Sequence, residues 1–222
     1  MNYRSIAHLA EDMRTWSATL PRDIDLVVGV PRSGLLVANL IALYRNLPLA
    51  DLEGLLQGDL LATGPRCSTP LDESGLATRS LNILVVDDCV STGAAMREVA
   101  AQVAPLRTQH TVLLGAAYYD PRAEVPIDVA FEPLHMPYVF EWNLMHSWVI
   151  EHGCLDMDGV LCHDPTPEQD DDGPAYERFL EGAEPYLLPT KTIARIVTAR
   201  LEKYRAPTEA WLERHGVRYE EL

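Results

Sequence analysis

One short segment, residues 83–95, restricts the fold of this 222-residue chain more than any other part of it. It reads Ile-Leu-Val-Val-Asp-Asp-Cys-Val-Ser-Thr-Gly-Ala-Ala. Four consecutive apolar β-forming residues are typical of a strand that is buried on both faces, as in a parallel sheet. Beyond the turn, Met96, Val99 and Val103 recur at helical spacing and predict an amphipathic helix. The segment therefore predicts a strand, a polar turn and a helix within an α/β fold.

The polar residues of this segment suggest a ligand. Open α/β sheets bind ligands beyond the carboxyl ends of their strands. The turn at 91–95 can present backbone N–H groups and a helix N-terminus to a phosphate. Asp87 and Asp88 are themselves anionic, so they suit hydroxyl groups or a divalent cation. Phosphate on one side and hydroxyls plus metal on the other describe a phosphorylated sugar, whereas the alternative is a Rossmann-like turn with an incidental Asp pair.

The same residues resemble the motif with which type I phosphoribosyltransferases bind phosphoribosyl pyrophosphate (PRPP). The resemblance implies that Asp87 and Asp88 are active-site residues that hold the ribose 2- and 3-hydroxyls. It also implies that the turn binds the 5-phosphate, through Ser91, Thr92, Gly93, Ala94 and Ala95. Ala95 stands where the motif often has Thr or Ser, and Ser91 stands where purine-type members carry an Asp. The second departure counts against a purine-salvage enzyme.

A second strand-to-helix turn supports the same resemblance. Residues 25–30 predict a buried strand, and an apolar helix is expected from Leu35 to about Tyr44. In the family, the loop between these elements binds pyrophosphate, which assigns that role to Arg32, Ser33 and Gly34. Arg32 can offer a bidentate guanidinium, and Gly34 permits a close backbone approach. A plain turn is the alternative.

Between these motifs, residues 58–80 have the composition of a long structureless connection. In the family, a flexible loop at this place closes over the active site and excludes water. Arg66 and Arg79 are its candidates to reach the pyrophosphate, and simple solvent exposure is the alternative for both.

Charge and cysteine content limit the partners. The formal net charge of −15 argues against nucleic acid. Because the first 150 residues contain no lysine, phosphate contacts there need Arg, backbone amides or a metal, and we expect Mg²⁺. No apolar stretch is long enough to span a bilayer. Four cysteines without metal spacing predict a reduced, cytoplasmic protein.

A second centre of chemistry lies at residues 154–161, which read Cys-Leu-Asp-Met-Asp-Gly-Val-Leu. Asp156 and Asp158 lie two apart, so on extended backbone they share one face and can share a divalent ion. This segment resembles the first motif of the haloacid dehalogenase (HAD) superfamily. The resemblance implies that Asp156 is the nucleophile, that Asp158 is the general acid and base, and that Mg²⁺ binds here.

Residues 193–200 are similar to the second HAD motif, in which a strand delivers a phosphate-binding hydroxyl, here Thr198. One amphipathic helix over 190–197 is the alternative. The superfamily also needs a later Lys and a further acidic pair, which this sequence lacks, so an incomplete module is expected. The acidic stretch 164–185, with Asp170 to Asp172, predicts a solvated loop or small cap insert rather than a Ca²⁺ site.

The sequence thus predicts an α/β chain with a mostly parallel sheet. A type I phosphoribosyltransferase domain is expected over 1–150, and a partial, Rossmann-like HAD module over 151–222. A strand near 48–56 belongs to the first domain. Trp142 or Tyr138 is the candidate to stack on the acceptor, and packing between the modules is the alternative for both.

The predicted activity is Mg²⁺-dependent transfer of 5-phosphoribosyl from PRPP to a nucleobase or glycan. The HAD-like module would then remove the 5-phosphate. Two alternatives stay open, a protein that senses PRPP without turnover and a HAD-type phosphatase of sugar phosphates or nucleotides. Members of this fold commonly dimerise, so a homodimer is an option.

Overall fold

The computed structural model describes residues 1–61, 67, 71 and 73–222, and for 73–75 the backbone alone. The described residues form two compact units, Met1–Tyr138 and Val139–Leu222. The sequence places the change of domain at 150/151. In the structure, however, Ile150 is buried in the core of the second unit and Met145 packs against that core. Residues 139–150 therefore fold with the second unit.

The predicted strand at 83–86 lies in the centre of a five-stranded sheet in the first unit. The strand order is β3-β2-β4-β5-β6, and every neighbouring pair is parallel. The elements of this unit, in chain order, are β1 (Asn2–Arg4), α1 (Ile6–Thr19), β2 (Leu26–Gly29), α2 (Gly34–Arg45), β3 (Leu49–Asp51), α3 (Leu52–Gln57), α4 (Glu73–Thr78), β4 (Asn82–Val90), α5 (Ala94–Val103), β5 (Thr111–Tyr119) and β6 (Val129–Pro133). The predicted α/β class with a mostly parallel sheet is confirmed.

Two local predictions in this unit are wrong. The strand predicted at 48–56 ends at Asp51, because the Asp51 side chain accepts a hydrogen bond of 2.6 Å from the N–H of Gly54 and caps α3. The connection at 58–80 contains α4, whose Leu76 is buried in the main core together with Leu71. Apolar burial thus orders part of a segment that has turn composition.

The second unit contains a smaller parallel sheet of order β10-β9-β8. The boundary between the units falls within β7 (Tyr138–Phe140). The elements that follow in the second unit are β8 (Cys154–Asp156), α6 (Pro174–Gly182), β9 (Ile193–Val197), α7 (Arg205–Arg214) and β10 (Tyr219–Glu221). Two 3₁₀ helices, Glu141–His146 and Trp148–His152, precede β8, and a third, Glu202–Tyr204, precedes α7. Residues 193–197 are therefore a strand, and the helical alternative for 190–197 is excluded.

The acidic stretch of the second unit is partly helical. Asp171 accepts hydrogen bonds from the backbone N–H groups of Gly173, Ala175 and Tyr176 at the start of α6. Asp172 accepts from the Tyr204 hydroxyl at 2.8 Å. These aspartates therefore cap a helix and bind a neighbouring side chain, which gives them structural roles. Among the described residues, no helix has both the length and the apolar character needed to cross a membrane.

Candidate functional site

The two predicted anion-binding turns meet at the carboxyl ends of β2 and β4. These strands are adjacent and parallel, and the N–H of Val30 donates to the carbonyl of Val86 at 3.0 Å. Helix α2 then begins at Gly34, directly against β4. A Cβ added at Gly34 would lie 2.7 Å from the Val86 carbonyl oxygen and 2.9 Å from Oδ1 of Asp87. Glycine is therefore required where the first turn approaches the acidic pair.

Gly34 thus lies beside Asp87, and Arg32 and Ser33 directly precede it in the turn; their binding of pyrophosphate stays a prediction. Arg32 is exposed, and the peptide bond between Pro31 and Arg32 is cis.

The acidic pair is largely withdrawn from water. Asp88 is 7% exposed, and Oδ1 of Asp87 accepts the N–H of Asp88 at 2.9 Å. Burial, and next the charge of Asp88, raise the pKa of Asp87 to about 7. Near neutral pH the ligand-free site therefore retains part of a proton. Ligand groups that donate hydrogen bonds, or a cation, would favour its release.

The turn after β4 has the geometry of an anion site. Gly93 has a φ of +79°, which favours glycine, and α5 begins at the next residue. Ala94 and Ala95 are exposed at the first turn of this helix, and the Thr92 hydroxyl accepts from the Ala94 N–H at 3.4 Å. The first N–H groups of a helix have no partners within it, so they are available to a phosphate here.

Tyr138 and Cys89 adjoin the same end of β4. Burial raises the pKa of Tyr138, and Cys89 and Ser91 are neighbours that also influence it. Burial raises the pKa of the Cys89 thiol to about 12, so this cysteine stays protonated and poorly nucleophilic.

Sequence reasoning missed an ion pair at the end of the neighbouring strand β5. Asp120 is 3% exposed, and its carboxylate binds the exposed Arg122 guanidinium with Nε–Oδ1 at 2.9 Å and Nη2–Oδ2 at 2.5 Å. This bidentate bond lowers the pKa of Asp120. The signal was present, because polar residues at the end of a strand next to β4 share its ligand-binding edge.

The roles of three further predicted residues, Trp142, Arg66 and Arg79, stay predictions. Trp142 belongs to the second unit, where its ring stacks on Phe140 with centroids 4.8 Å apart. Its contact with an acceptor stays a prediction. Arg66 lies outside the described residues, and Arg79 is exposed just after α4.

The second unit brings its own predicted residues to one sheet edge. Asp156 ends β8 and pairs with Val197 on β9, so Thr198 follows directly on the neighbouring strand. Oδ1 of Asp156 accepts the N–H of Met157 at 2.6 Å, and the Thr198 hydroxyl accepts the N–H of Arg200 at 3.1 Å.

Asp158 is held by a residue that the sequence did not reveal, Arg200. The Arg200 side chain is 1% exposed. Its guanidinium contacts the Asp158 carboxylate with Nε–Oδ2 at 2.9 Å and Nη2–Oδ1 at 2.5 Å. It also donates to Cys162 Sγ and Thr208 Oγ1, both at 3.3 Å. Burial opposes the charge on Arg200, but Asp158 more than offsets this and raises the pKa of Arg200. A metal at Asp158 would therefore have to displace a buried guanidinium.

The described residues of the two units do not form a magnesium site from protein ligands alone. Within the part of the chain that the structure describes, no three His, Cys, Asp or Glu side chains converge as a metal site. Mg²⁺ commonly binds one or two carboxylates together with substrate phosphates and water. Asp87 and Asp88 fit that second arrangement, in which the ion arrives with its substrate.

No family model and no curated protein matches this chain. Solved structures resemble it. A Helicobacter pylori xanthine-guanine-hypoxanthine phosphoribosyltransferase shows 15% identity and a TM-score of 0.48, covering 64% of this chain and 92% of that one. A purine phosphoribosyltransferase from Pyrococcus horikoshii shows 18% identity and a TM-score of 0.47, with the same coverage. A hypothetical protein from Neisseria gonorrhoeae with bound ppGpp shows 12% identity and a TM-score of 0.45, covering 64% and 89%. Values of this size do not assign the chain to a family.

Proposed function

We propose that the first unit is a Mg²⁺-dependent phosphoribosyltransferase, which moves 5-phosphoribosyl from PRPP to an acceptor and releases pyrophosphate. The observation that carries this proposal is the contact of Gly34 with Asp87, at the edge where the turn after β4 also begins. Two turns suited to anions therefore flank one acidic pair. PRPP carries the matching groups, with a pyrophosphate at one end of the ribose, a 5-phosphate at the other, and the 2- and 3-hydroxyls between them.

Each part of PRPP has a counterpart in this unit. Arg32 and the backbone at 33–34 would bind the pyrophosphate. Asp87 and Asp88 would accept hydrogen bonds from the ribose 2- and 3-hydroxyls. The N–H groups at the start of α5, with the hydroxyls of the turn, would hold the 5-phosphate. Mg²⁺, when bound, would supply positive charge to the pyrophosphate in a chain whose net charge is −15.

The acceptor is proposed as a nucleobase or a glycan. It would approach from the ends of β4 and β5, where Tyr138 and the Asp120–Arg122 pair lie. The Ser91 hydroxyl is uncharged at neutral pH, and so is that of Tyr138, whose pKa is raised further by burial. Neither residue would therefore serve as a general base, so the acceptor would have to carry its own reactive group.

For the second unit we propose a HAD-like phosphate-binding module. The placement of Asp156 at the end of β8 and of Thr198 just after the adjacent parallel strand β9 favours it, because a carboxylate and a hydroxyl then lie at the same sheet edge. The contact of Asp158 with Arg200 weighs against an acid–base role for Asp158 in this arrangement. Removal of the 5-phosphate after transfer would therefore need a group other than Asp158 as acid and base in this arrangement.

Phosphorus NMR of a series of reaction mixtures tests these functions together. The protein is incubated with PRPP and Mg²⁺, and nucleobases and glycan acceptors are added one to each mixture. We expect pyrophosphate release that depends on one acceptor and is lost in Asp88→Asn. The control Asp156→Asn should retain pyrophosphate release.

Other results would favour the alternatives. PRPP binding without acceptor-dependent release, across nucleobases and glycan acceptors, would contradict transfer and support a PRPP sensor. Inorganic phosphate formed from ribose 5-phosphate by the wild type, but not by Asp156→Asn, would support the phosphatase.

A further inference from the structure

Val125, in the loop that joins β5 to β6, packs into the turn after β4. A Cβ built on Gly93 would lie only 1.7 Å from Cγ1 of Val125. The valine methyl therefore fills the space that any side chain at position 93 would need. Gly93 is thus needed both for its positive φ and for this close contact.

Arg97 joins the same two segments by hydrogen bonds. Its Nη1 donates to the carbonyl of Thr92 at 3.4 Å and to the carbonyl of Glu124 at 3.0 Å. One carbonyl belongs to the proposed phosphate turn, and the other belongs to the β5–β6 loop. A single guanidinium therefore links the turn to the loop beside it.

The loop is itself fixed at both ends. At its start, the buried Asp120 carboxylate binds both the side chain and the backbone N–H of Arg122. At its end, Leu114 on β5 donates its N–H to the Asp128 side chain and accepts the N–H of Asp128, both at 2.8 Å. Ile127 also packs against the main core. Hydrogen bonds and packing therefore hold this loop in place next to the turn 91–95.

We propose that Arg97 is a positioning residue that holds the turn 91–95 in the shape that receives the 5-phosphate. This inference rests on the proposed function of the site. Both acceptors of the Arg97 side chain are backbone carbonyls, so its guanidinium orients the turn instead of marking a separate ligand site. A turn that is ordered before binding loses less conformational entropy when the phosphate arrives.

Calorimetric titration with two partial ligands tests this role. Ribose 5-phosphate probes the turn at 91–95, and Mg²⁺-pyrophosphate probes the turn at 31–34. In Arg97→Met, the Kd for ribose 5-phosphate should rise about tenfold, because the turn must then be ordered when the phosphate binds. The Kd for pyrophosphate should stay within about twofold, a change of less than half a kcal/mol.

Two matched variants test whether the effect depends on a hydrogen-bond donor at position 97 or follows from the loss of any exposed arginine. Arg97→Lys keeps a donor and should recover most of the ribose 5-phosphate affinity. Arg14→Met removes an exposed arginine that pairs with Glu11 on α1, and should leave both affinities unchanged. Hydrogen exchange in the ligand-free protein gives a second reading, because the amides of 92–95 should exchange faster in Arg97→Met alone.

Each contrary result has a distinct meaning. Unchanged ribose 5-phosphate affinity and unchanged exchange in Arg97→Met would overturn the positioning role alone. Equal weakening of both ligands would indicate general loosening and would also overturn it. A folded wild-type protein that binds neither ligand would overturn the proposed function and this inference with it.

Discussion

Replacing Arg200 with methionine is expected to lower the free energy of unfolding of the second unit by about 3 kcal/mol. The variant would leave the Asp158 carboxylate beside a buried apolar side chain, with no guanidinium to balance its charge. Thr208 and Cys162 would lose the same partner. Breaking one side of a buried ion pair costs more than the pair itself contributes.

Urea unfolding followed by tryptophan fluorescence measures this effect, since Trp211 is fully buried in the second unit. Arg205→Met is the matched control, because Arg205 pairs with Glu202 at the surface and should change stability by about 1 kcal/mol or less. The double variant Asp158→Leu/Arg200→Met should be more stable than Arg200→Met, since it removes the unpaired charge. A loss no larger in Arg200→Met than in Arg205→Met would contradict a structural role for the pair.

Replacing Asp87 with asparagine is expected to stabilise the ligand-free protein at pH 8 and to have little effect at pH 4. Burial and the charge of Asp88 raise the pKa of Asp87 from 3.8 to about 7 in the folded protein. Between these values the folded state holds a proton that the unfolded state releases. The contribution of Asp87 to stability is therefore greatest below the unfolded pKa and is lost as the pH rises through about 7.

Thermal unfolding across this pH range provides the measurement. At pH 8 the midpoint of Asp87→Asn should exceed that of the wild type by about 4 °C or more. Glu98→Gln on α5, which also removes a carboxylate but an exposed one, should follow the wild type at each pH. Parallel curves for Asp87→Asn and the wild type would show that Asp87 titrates normally. The expected result would mean that the site holds an unfavourable charge without ligand, as binding sites often do.

The sequence predicted the central sheet and the acidic pair because their signals are local. A run of apolar residues fixes β4 as a doubly buried strand, and the polar residues that follow it must then lie at the sheet edge. The approach of Gly34 to Asp87 follows from the same pattern, since β2 and β4 are parallel neighbours.

Local patterns predicted the wrong secondary structure where the hydrogen bonds of one side chain stabilise the start of a helix. Asp51 follows apolar residues that suit a strand, but its carboxylate caps α3. Asp171, two residues before the N-cap Gly173, accepts N–H groups at the start of α6 within a stretch whose composition indicates a loop. Aspartate is common at helix starts, so a search for such starts could have found both.

Arg200 was beyond reach of sequence reasoning for a different reason. Its partner Asp158 lies 42 residues earlier, and the contact exists only once β8 and β9 pair. The role of Arg97 was missed for the same reason, because its hydrogen bond to the Glu124 carbonyl joins residues 27 positions apart. Such long-range contacts depend on the assembled fold and leave no periodic pattern in the chain.

The most direct test of the central claim is a calorimetric titration of PRPP with Mg²⁺ into the wild-type protein and into Asp87→Asn/Asp88→Asn. We predict micromolar binding by the wild type and its loss in the double variant, because the ribose hydroxyls and the metal would lose both carboxylates. The double variant should remain folded, as circular dichroism can verify. Absence of binding by the folded wild type, or equal binding by both proteins, would contradict a PRPP site at the ends of β2 and β4.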